Sequence, residues 1–383
     1  MLIAKKIRLH PTAEQEILFW KSAGVARWSF NYFLAENKRV YEEEHRYFSG
    51  NDVRKHINNV LKKTTHTWLK EVGSNVMKQG VKDAEQALKD YMSGIRGKPH
   101  FKKKNKSIPS FYVNYESIKR GPNGFRGEKL GFVKTAEPLP RIDGKYSNPR
   151  ITFDGKYWYL SVGYFVEEKE EELNDIVLGI DLGIKILATC SDGTVYKNIN
   201  KSKEIRRLKK KLRREQRKLS RKMRHDIKGY TSNRKPIFDR SLMDCKNYQK
   251  QKNKVALIHR RITNIRKNHI HQTTSDIIKK KPKEIIMETL NINGMMKNRH
   301  LAEKISEVNM YEFKRQIMYK AKLNGIKVTE ASTFYPSSKT CSHCGYINKD
   351  LKLSDRIYIC PVCGNEIDRD LNAAINLANY KSA

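Results

Sequence analysis

Apolar and polar residues alternate over Leu2-Ile3-Ala4-Lys5-Lys6-Ile7-Arg8-Leu9, which predicts a strand. After Pro11 the period lengthens. Ile17, Leu18, Trp20, Val25, Trp28, Phe30 and Phe33 supply buried faces of a helix, and Thr12 with Gln15 fits a capping box at its start. Helical patterning continues to about Tyr91 and breaks at Gly97-Lys98-Pro99. Residues 110–165 are rich in Tyr, Phe, Val and Gly, with alternation in Tyr157-Trp158-Tyr159-Leu160-Ser161-Val162, so several short strands are expected. The first strand is expected to join them, which makes 12–95 a helical insertion in one β domain.

The acidic run at 167–175 reads as a solvated linker and a domain boundary. Beyond it, Ile176-Val177-Leu178-Gly179-Ile180-Asp181 reads as a buried strand and Leu187-Ala188-Thr189-Cys190 as the next, closed by a Ser191-Asp192-Gly193 turn. Two apolar stripes follow, Ile205, Leu208, Leu212, Leu219 and Val255, Ile258, Ile262, Ile265. Their spacings of three and four predict two helices packed as a hairpin, connected near Gly229 to Pro236. A strand over Glu284–Glu288 ending on a carboxylate, a helix around 301–323, a strand over Lys327–Glu330 and a short helix at 371–380 complete the pattern.

Composition turns this pattern toward a partner. The 383 residues suggest two or three domains, with chain enough for real cores. Lys and Arg number 78 against 41 Asp and Glu, a net charge of +37, which repels itself unless a polyanion, usually nucleic acid, neutralises it. Residues 201–270 alone hold 26 basic and 5 acidic residues, a net of +21. No run approaches the ~18 apolar residues of a membrane helix, and the apolar stretch at the start is too short for a signal peptide. A membrane or secreted protein is disfavoured, and a cytoplasmic one, on the nucleoid when bound to DNA, is expected. Hydrophobic residues at 38% and aromatics at 9% also disfavour disorder.

Four of six cysteines form two C-x-x-C pairs, Cys341/Cys344 and Cys360/Cys363, fifteen residues apart. In an unsecreted chain this spacing predicts one tetrahedral Zn²⁺ on four thiolates, a closed and therefore structural site. Gly345 and Gly364 follow the knuckles, where a tight turn needs no Cβ, and His343 is expected to be exposed. A second set is acidic: Asp181 on a buried strand, Glu288 ending another, Asp368 and Asp370 before the last helix. Converging, three carboxylates could hold Mg²⁺ for phosphodiester hydrolysis, with two ions about 3.5–4 Å apart. Singly, Asp181 reads equally as a turn former, Glu288 as an ion-pair partner and Asp370 as a helix cap. Trp28, Tyr32, Tyr47 and Tyr91 mingle with Arg27, Lys38, Arg46 and Lys82, a mix suited to bases and phosphates or to a core. Gly97-Lys98-Pro99-His100-Phe101-Lys102-Lys103-Lys104 is a basic loop suited to phosphate, or a solvated linker.

Four passages together resemble the transposon-encoded TnpB (OrfB) family, RNA-guided nucleases related to type V CRISPR effectors. GIDLGIKILATCSDG (179–193) is similar to its first RuvC motif and IIMETLNINGM (285–295) to its second. The passage 337–378 is similar to its zinc ribbon fused to the third. Residues 7–35 with 97–104 are similar to its amino-terminal region. The resemblance implies a multidomain α+β fold. A wedge-like β-barrel (1–11 and 96–166) would carry an inserted helical recognition lobe (12–95). The acidic linker (167–175) would lead to a RuvC-like, RNase H-fold nuclease domain (176–336 and 366–383). That domain would hold the basic hairpin (201–275) and a zinc ribbon, or target-nuclease subdomain (337–365).

It also implies Asp181, Glu288 and Asp370 as catalytic, magnesium-binding carboxylates, with Asp368 auxiliary. Asp370 is chosen over Asp368 because the family motif sets its carboxylate two residues before the Asn of Asn-Ala-Ala. Arg356 is expected to assist at the scissile phosphate, and Lys78 and Gln79 to read a short transposon-adjacent motif. Lys102, Lys103, Arg206, Arg207, Lys210, Arg213, Arg214, Arg260 and Arg261 are expected on nucleic acid, the hairpin holding the guide or heteroduplex through backbone phosphates. Implied partners are a guide RNA from the transposon end and double-stranded target DNA, with a monomer expected. Rivals are an RNA-guided repressor that does not cut, a transposase, and a miniature type V CRISPR effector. A repressor would be free to lose the carboxylates, and none is missing.

Overall fold

The computed structural model describes residues 1–168, 171–352 and 354–381; Lys169 and Glu170 of the acidic run, Leu353 between the cysteine pairs, and Ser382 and Ala383 of the expected nuclease domain lie outside. The chain divides into two compact units, Met1–Val166 and Glu167–Ala383.

In the first unit, β1 (Leu2–His10) leads into α1 (Ala13–Glu44), whose Thr12/Gln15 capping box is formed as the sequence predicts. Then come α2 (Gly50–His56) and α3 (Ser74–Met92). The strands β2 (Ser110–Tyr112), β3 (Lys119–Gly121), β4 (Gly124–Gly127), β5 (Gly131–Thr135), β6 (Ser147–Phe153) and β7 (Trp158–Phe165) follow. Among the described residues they form one sheet with β1, in the order β2-β6-β7-β1-β5-β4-β3. Strand β1 serves both halves, pairing through Leu2–Arg8 with β7 and through Leu9 and His10 with β5. The core lies between this sheet and α1, where Phe19 meets Trp158 edge-on at 5.3 Å and Phe111 at 5.6 Å. Helix α3 crosses α1 at Gly80, where a Cβ would stand 2.2 Å from Ser29 Oγ.

The second unit begins with β8 (Asn174–Leu182), β9 (Ile186–Cys190) and β10 (Val195–Lys197). The last two residues of the acidic run are thus strand: Asn174 pairs with Pro282, and Glu171 meets Lys281 at 3.2 Å, because a basic stretch lies opposite. The long helices α4 (Lys203–His225) and α5 (Lys246–Lys279) pack through Ile205, Leu208, Ile258 and Ile262. Their connection carries a ribbon the pattern did not reveal, β11 (Ile227–Tyr230) with β12 (Pro236–Phe238). After β13 (Pro282–Glu288) and the short α6 (Ile292–Met296), the helix expected over 301–323 is two, α7 (Ala302–Val308) and α8 (Met310–Leu323). Asn309, left-handed at φ 58°, breaks it. Next come β14 (Lys327–Ala331), the small pair β15 (Ile357–Ile359) and β16 (Glu366–Asp368), and α9 (Arg369–Ala378).

The sheet order is β10-β9-β8-β13-β14 among the described residues, with β8, β13 and β14 parallel and β9 and β10 antiparallel. Helices α5 and α8 bury Ile270, Ile277, Phe313 and Ile317 against it. Helix α9 lies against β8: a Cβ on Gly179 would fall 2.0 Å from Ala374 O and 2.5 Å from Ala378 N.

Candidate nuclease centre and metal ribbon

The parallel register places Met287 beside Ile180, so Glu288 leaves β13 where Asp181 stands on β8. Asp370 enters from the first turn of α9, which Gly179 lets approach β8 closely. Three carboxylates from separate stretches therefore gather at one end of the sheet. Asp181 registers this: burial first, then the negative charges of Glu288 and Asp370, hold its carboxyl well above the usual carboxylate range, with Arg369 opposing. That repulsion is what a divalent cation relieves, and the donor set is the hard-oxygen type that magnesium takes. Among the described residues, the four cysteines are the only metal-ligating group whose donor atoms all lie within 4.8 Å of one another, so the carboxylates stand wider apart. Asp368 is otherwise engaged. Its Oδ1 accepts from the amides of Asp370 (2.9 Å) and Leu371 (3.1 Å), making it the cap that sequence allowed Asp370 to be.

Two contributors escape a reading by motif. Ser337 Oγ donates to Glu288 Oε1 at 2.6 Å and fixes that carboxylate. The guanidinium of Arg369 supplies the favourable charge near Asp181 while bonding Lys352 O (3.1 Å) and Ser338 Oγ (3.4 Å). Adjacency to Asp370 was the available signal for Arg369. Arg356, expected at the scissile phosphate, is exposed, and its carbonyl accepts from the amide of Arg369 at 2.9 Å.

The cysteines converge from two matched knuckles. Cys341 and Cys363 sulfurs stand 3.7 Å apart and those of Cys344 and Cys360 3.5 Å. A disulfide needs about 2.05 Å; four sulfurs at ~2.3 Å from a tetrahedral ion lie about 3.8 Å apart. The donors therefore fit one metal ion. Each knuckle closes the same way: Gly345 N donates to Cys341 O (2.9 Å) and Gly364 N to Cys360 O (3.0 Å), with φ of 77° and 68°. Burial resists ionisation of Cys360, but the amides of Cys363 and Val362 and the neighbouring thiols bring it down to about 6. His343 is exposed.

Asparagines bind ribbon to centre. Asn372 Oδ1 accepts from Ser342 N at 2.9 Å and its Nδ2 donates to Thr340 O at 2.7 Å. Asn376 Nδ2 donates to Ser337 O (2.7 Å) and Thr340 O (2.6 Å). Ala373 and Ala374 are buried between them. The Asn-Ala-Ala motif thus holds the first knuckle, and with it Ser337, on the helix that carries Asp370.

Family models match three stretches: residues 161–299 a probable transposase of OrfB type, 311–377 a Cas12f1-like TNB domain, and 1–46 a helix-turn-helix domain. The chain is thus similar to the TnpB (OrfB) family in its amino-terminal and central stretches. It is 28% identical to a putative RNA-guided DNA endonuclease, InsQ, of Escherichia coli K12, across 98% of this chain and 91% of that one. A putative RNA-guided DNA endonuclease of Streptomyces pristinaespiralis is also 28% identical, across 98% and 88%. The CRISPR-associated Cas12f1 of Sulfoacidibacillus thermotolerans is 26% identical across 62% and 54%. Among solved structures, Cas12f1 from a complex with sgRNA and target DNA superposes with a TM-score of 0.56 at 14% identity, covering 99% of both chains, which is a likeness of fold. The helix-turn-helix description does not suit residues 1–46 here, which hold one strand and one 32-residue helix.

The expected nucleic-acid contacts divide by exposure. Arg206, Arg207, Lys210, Arg213 and Arg214 are exposed on α4, the last of them 3.5 Å from Glu215. Arg261 is exposed and paired with Glu204 at 2.9 Å, and Arg260 is half-buried. Lys103 is exposed, but Lys102 lies half-buried with Nζ 3.7 Å from the Phe30 ring. Lys78 and Gln79 are half-buried on α3. Gln79 donates to Asp83 Oδ1 at 2.9 Å, and Arg150 clamps the same carboxylate at 2.7 and 2.8 Å. Gln79, Lys102 and Arg150 line one small cavity with Arg27. Among the described residues no helix is long and apolar enough to cross a membrane.

Proposed function

We propose that this chain is a transposon-encoded, RNA-guided endonuclease that cuts double-stranded DNA beside a short adjacent motif at a RuvC-like centre. The observation that carries the reading is the gathering of Asp181, Glu288 and Asp370, in a chain aligned nearly end to end with a putative RNA-guided DNA endonuclease. The mixed sheet with three parallel and two antiparallel strands supports an RNase H-like fold, and β1, shared by both halves of the first sheet, supports the wedge-like barrel. Asp181, Glu288 and Asp370 would hold magnesium, which supplies Lewis acidity toward water and the leaving oxygen. The chain's own groups orient that set: Ser337 fixes Glu288, the Asp368 cap sets the first turn of α9, and Gly179 admits α9 to β8. Cys341, Cys344, Cys360 and Cys363 would hold zinc in a closed, structural role. Guide RNA would read the target by pairing, and Lys78 and Gln79 would read the adjacent motif. Arg206, Arg207, Lys210 and Arg213 would hold the backbone. Retention of all three carboxylates disfavours a repressor that only binds. A match to InsQ over 98% of the chain, against 62% for Cas12f1, favours the transposon-encoded reading over a CRISPR effector.

The test is Asp181→Asn in protein purified with its RNA. Magnesium-dependent cleavage should vanish while RNA and target binding persist, since Asp181→Asn keeps the side chain's size and removes only its charge. Cleavage by the variant would remove Asp181 from the centre.

A further inference from the structure

The amino-terminal unit holds a cleft of about 520 Å³ that none of the chemistry above uses. Tyr41 at the end of α1, Tyr47 beyond it, Tyr91 at the end of α3 and Phe101 in the loop before β2 line it. They are 48, 51, 42 and 53% exposed, so four large rings face solvent around one hollow. Lys38, Lys98 and His100 share the lining, as does Glu42, which meets Lys38 at 3.6 Å.

The rings are held, not loose. Helix α1 stops at Glu44 because His45 turns left-handed at φ 50°. Buried Asn37 then grips the returning chain in both directions: Nδ2 donates to Phe48 O and Phe48 N donates to Oδ1, each at 3.0 Å. Tyr47 is thereby stacked on Tyr41, with ring centroids 5.4 Å apart and planes 30° from parallel. Asn31 makes the same two-way grip on the other loop, donating to Lys102 O at 2.9 Å and accepting from Lys102 N at 2.7 Å. That fixes the backbone beside Phe101. Rings ordered before binding lose little entropy when a ligand arrives.

Flat π-faces with cations at their margin match a nucleotide: the rings take the base and Lys38 and Lys98 its phosphates. Glu42 sharpens the choice. A carboxylate repels phosphate but accepts from a base N–H or a ribose 2′-hydroxyl, and RNA read in sequence is usually single-stranded with its bases splayed onto aromatic side chains. We propose that this cleft stacks an unpaired base of single-stranded RNA. The proposal rests on the RNA-binding part of the function above and is independent of cleavage.

The experiment uses the full chain and a short oligouridylate carrying 5-iodouridine, with the matching DNA as a second arm. Photocrosslinks should map to the peptides of Tyr47 and Tyr91 with RNA. The variant Tyr47→Leu/Tyr91→Leu should lose them and bind the RNA roughly 5- to 150-fold more weakly, the range for one lost base stack. Tyr47→Phe/Tyr91→Phe keeps the rings and should bind as the wild type does. Exposed Lys98→Glu, which leaves the ring packing untouched, should also weaken binding, so a poorly folded Leu variant does not blunt the test. RNA crosslinks confined to residues 203–279, equal crosslinking of DNA to Tyr47 and Tyr91, or unchanged affinity in both the Leu and the Lys98 variants would overturn the cleft while leaving the nuclease reading intact. A chain that binds no RNA anywhere would sink both.

Discussion

A missing side chain sets the spacing of the carboxylate cluster. At Gly179 any Cβ would fall on main-chain atoms of α9, which cannot rotate aside as a side chain can. Gly179→Ala should push α9 off β8 and carry Asp370 away from Asp181. Denaturant unfolding should show a loss of about 1–3 kcal/mol, typical of overpacking, with cleavage falling further than RNA binding. Wild-type stability and cutting in this variant would refute the close approach. Gly179, Asp181 and Asp370 were all legible as motif residues, and so were the cysteine ligands. Their contact was not, because it joins residues nearly two hundred positions apart across a strand and a helix. Ser337 and Arg369 were illegible for another reason: their roles depend on which carboxylate they face.

At the scale of elements, apolar spacing revealed α4 and α5 despite their charge, since Ile205, Leu208, Ile258 and Ile262 keep the helical period. It missed β11 and β12, whose Gly, Pro and Arg read simply as a connection. It also missed that α4 buries an acid. Glu215 sits where the stripe lacks an apolar residue, and accepts from Gln251 Nε2 at 2.9 Å and Lys218 Nζ at 3.2 Å. The Gln251 and Lys218 hydrogen bonds pull its carboxyl from 4.5 to about 2. A carboxyl lowered in the folded state adds stability that is complete above its unfolded value and lost as the folded value is approached. The hairpin should therefore loosen as pH falls from about 4.5 to about 2. Glu215→Gln should remove that part of the acid transition. Circular dichroism of wild type and variant through an acid titration checks this; superimposable curves would show that the pair contributes nothing.

For the whole molecule, the charge of +37 makes affinity for nucleic acid a function of salt. Replacing exposed Arg206, Arg207, Lys210 and Arg213 with Ala should flatten the slope of log affinity against log salt by roughly three to four. Arg261→Ala should change it less, because Glu204 already answers that charge. An unchanged slope in the quadruple variant would make α4 a solvated face. The ribbon presents the opposite case, since the asparagines of α9 hold it by its main-chain atoms alone. Asn372 and Asn376 hold it through the carbonyls of Ser337 and Thr340 and the amide of Ser342. Main-chain atoms are the same whatever residue bears them. Between its cysteines the ribbon can drift in sequence, or be exchanged for a relative's, and still dock in register on the last carboxylate's helix.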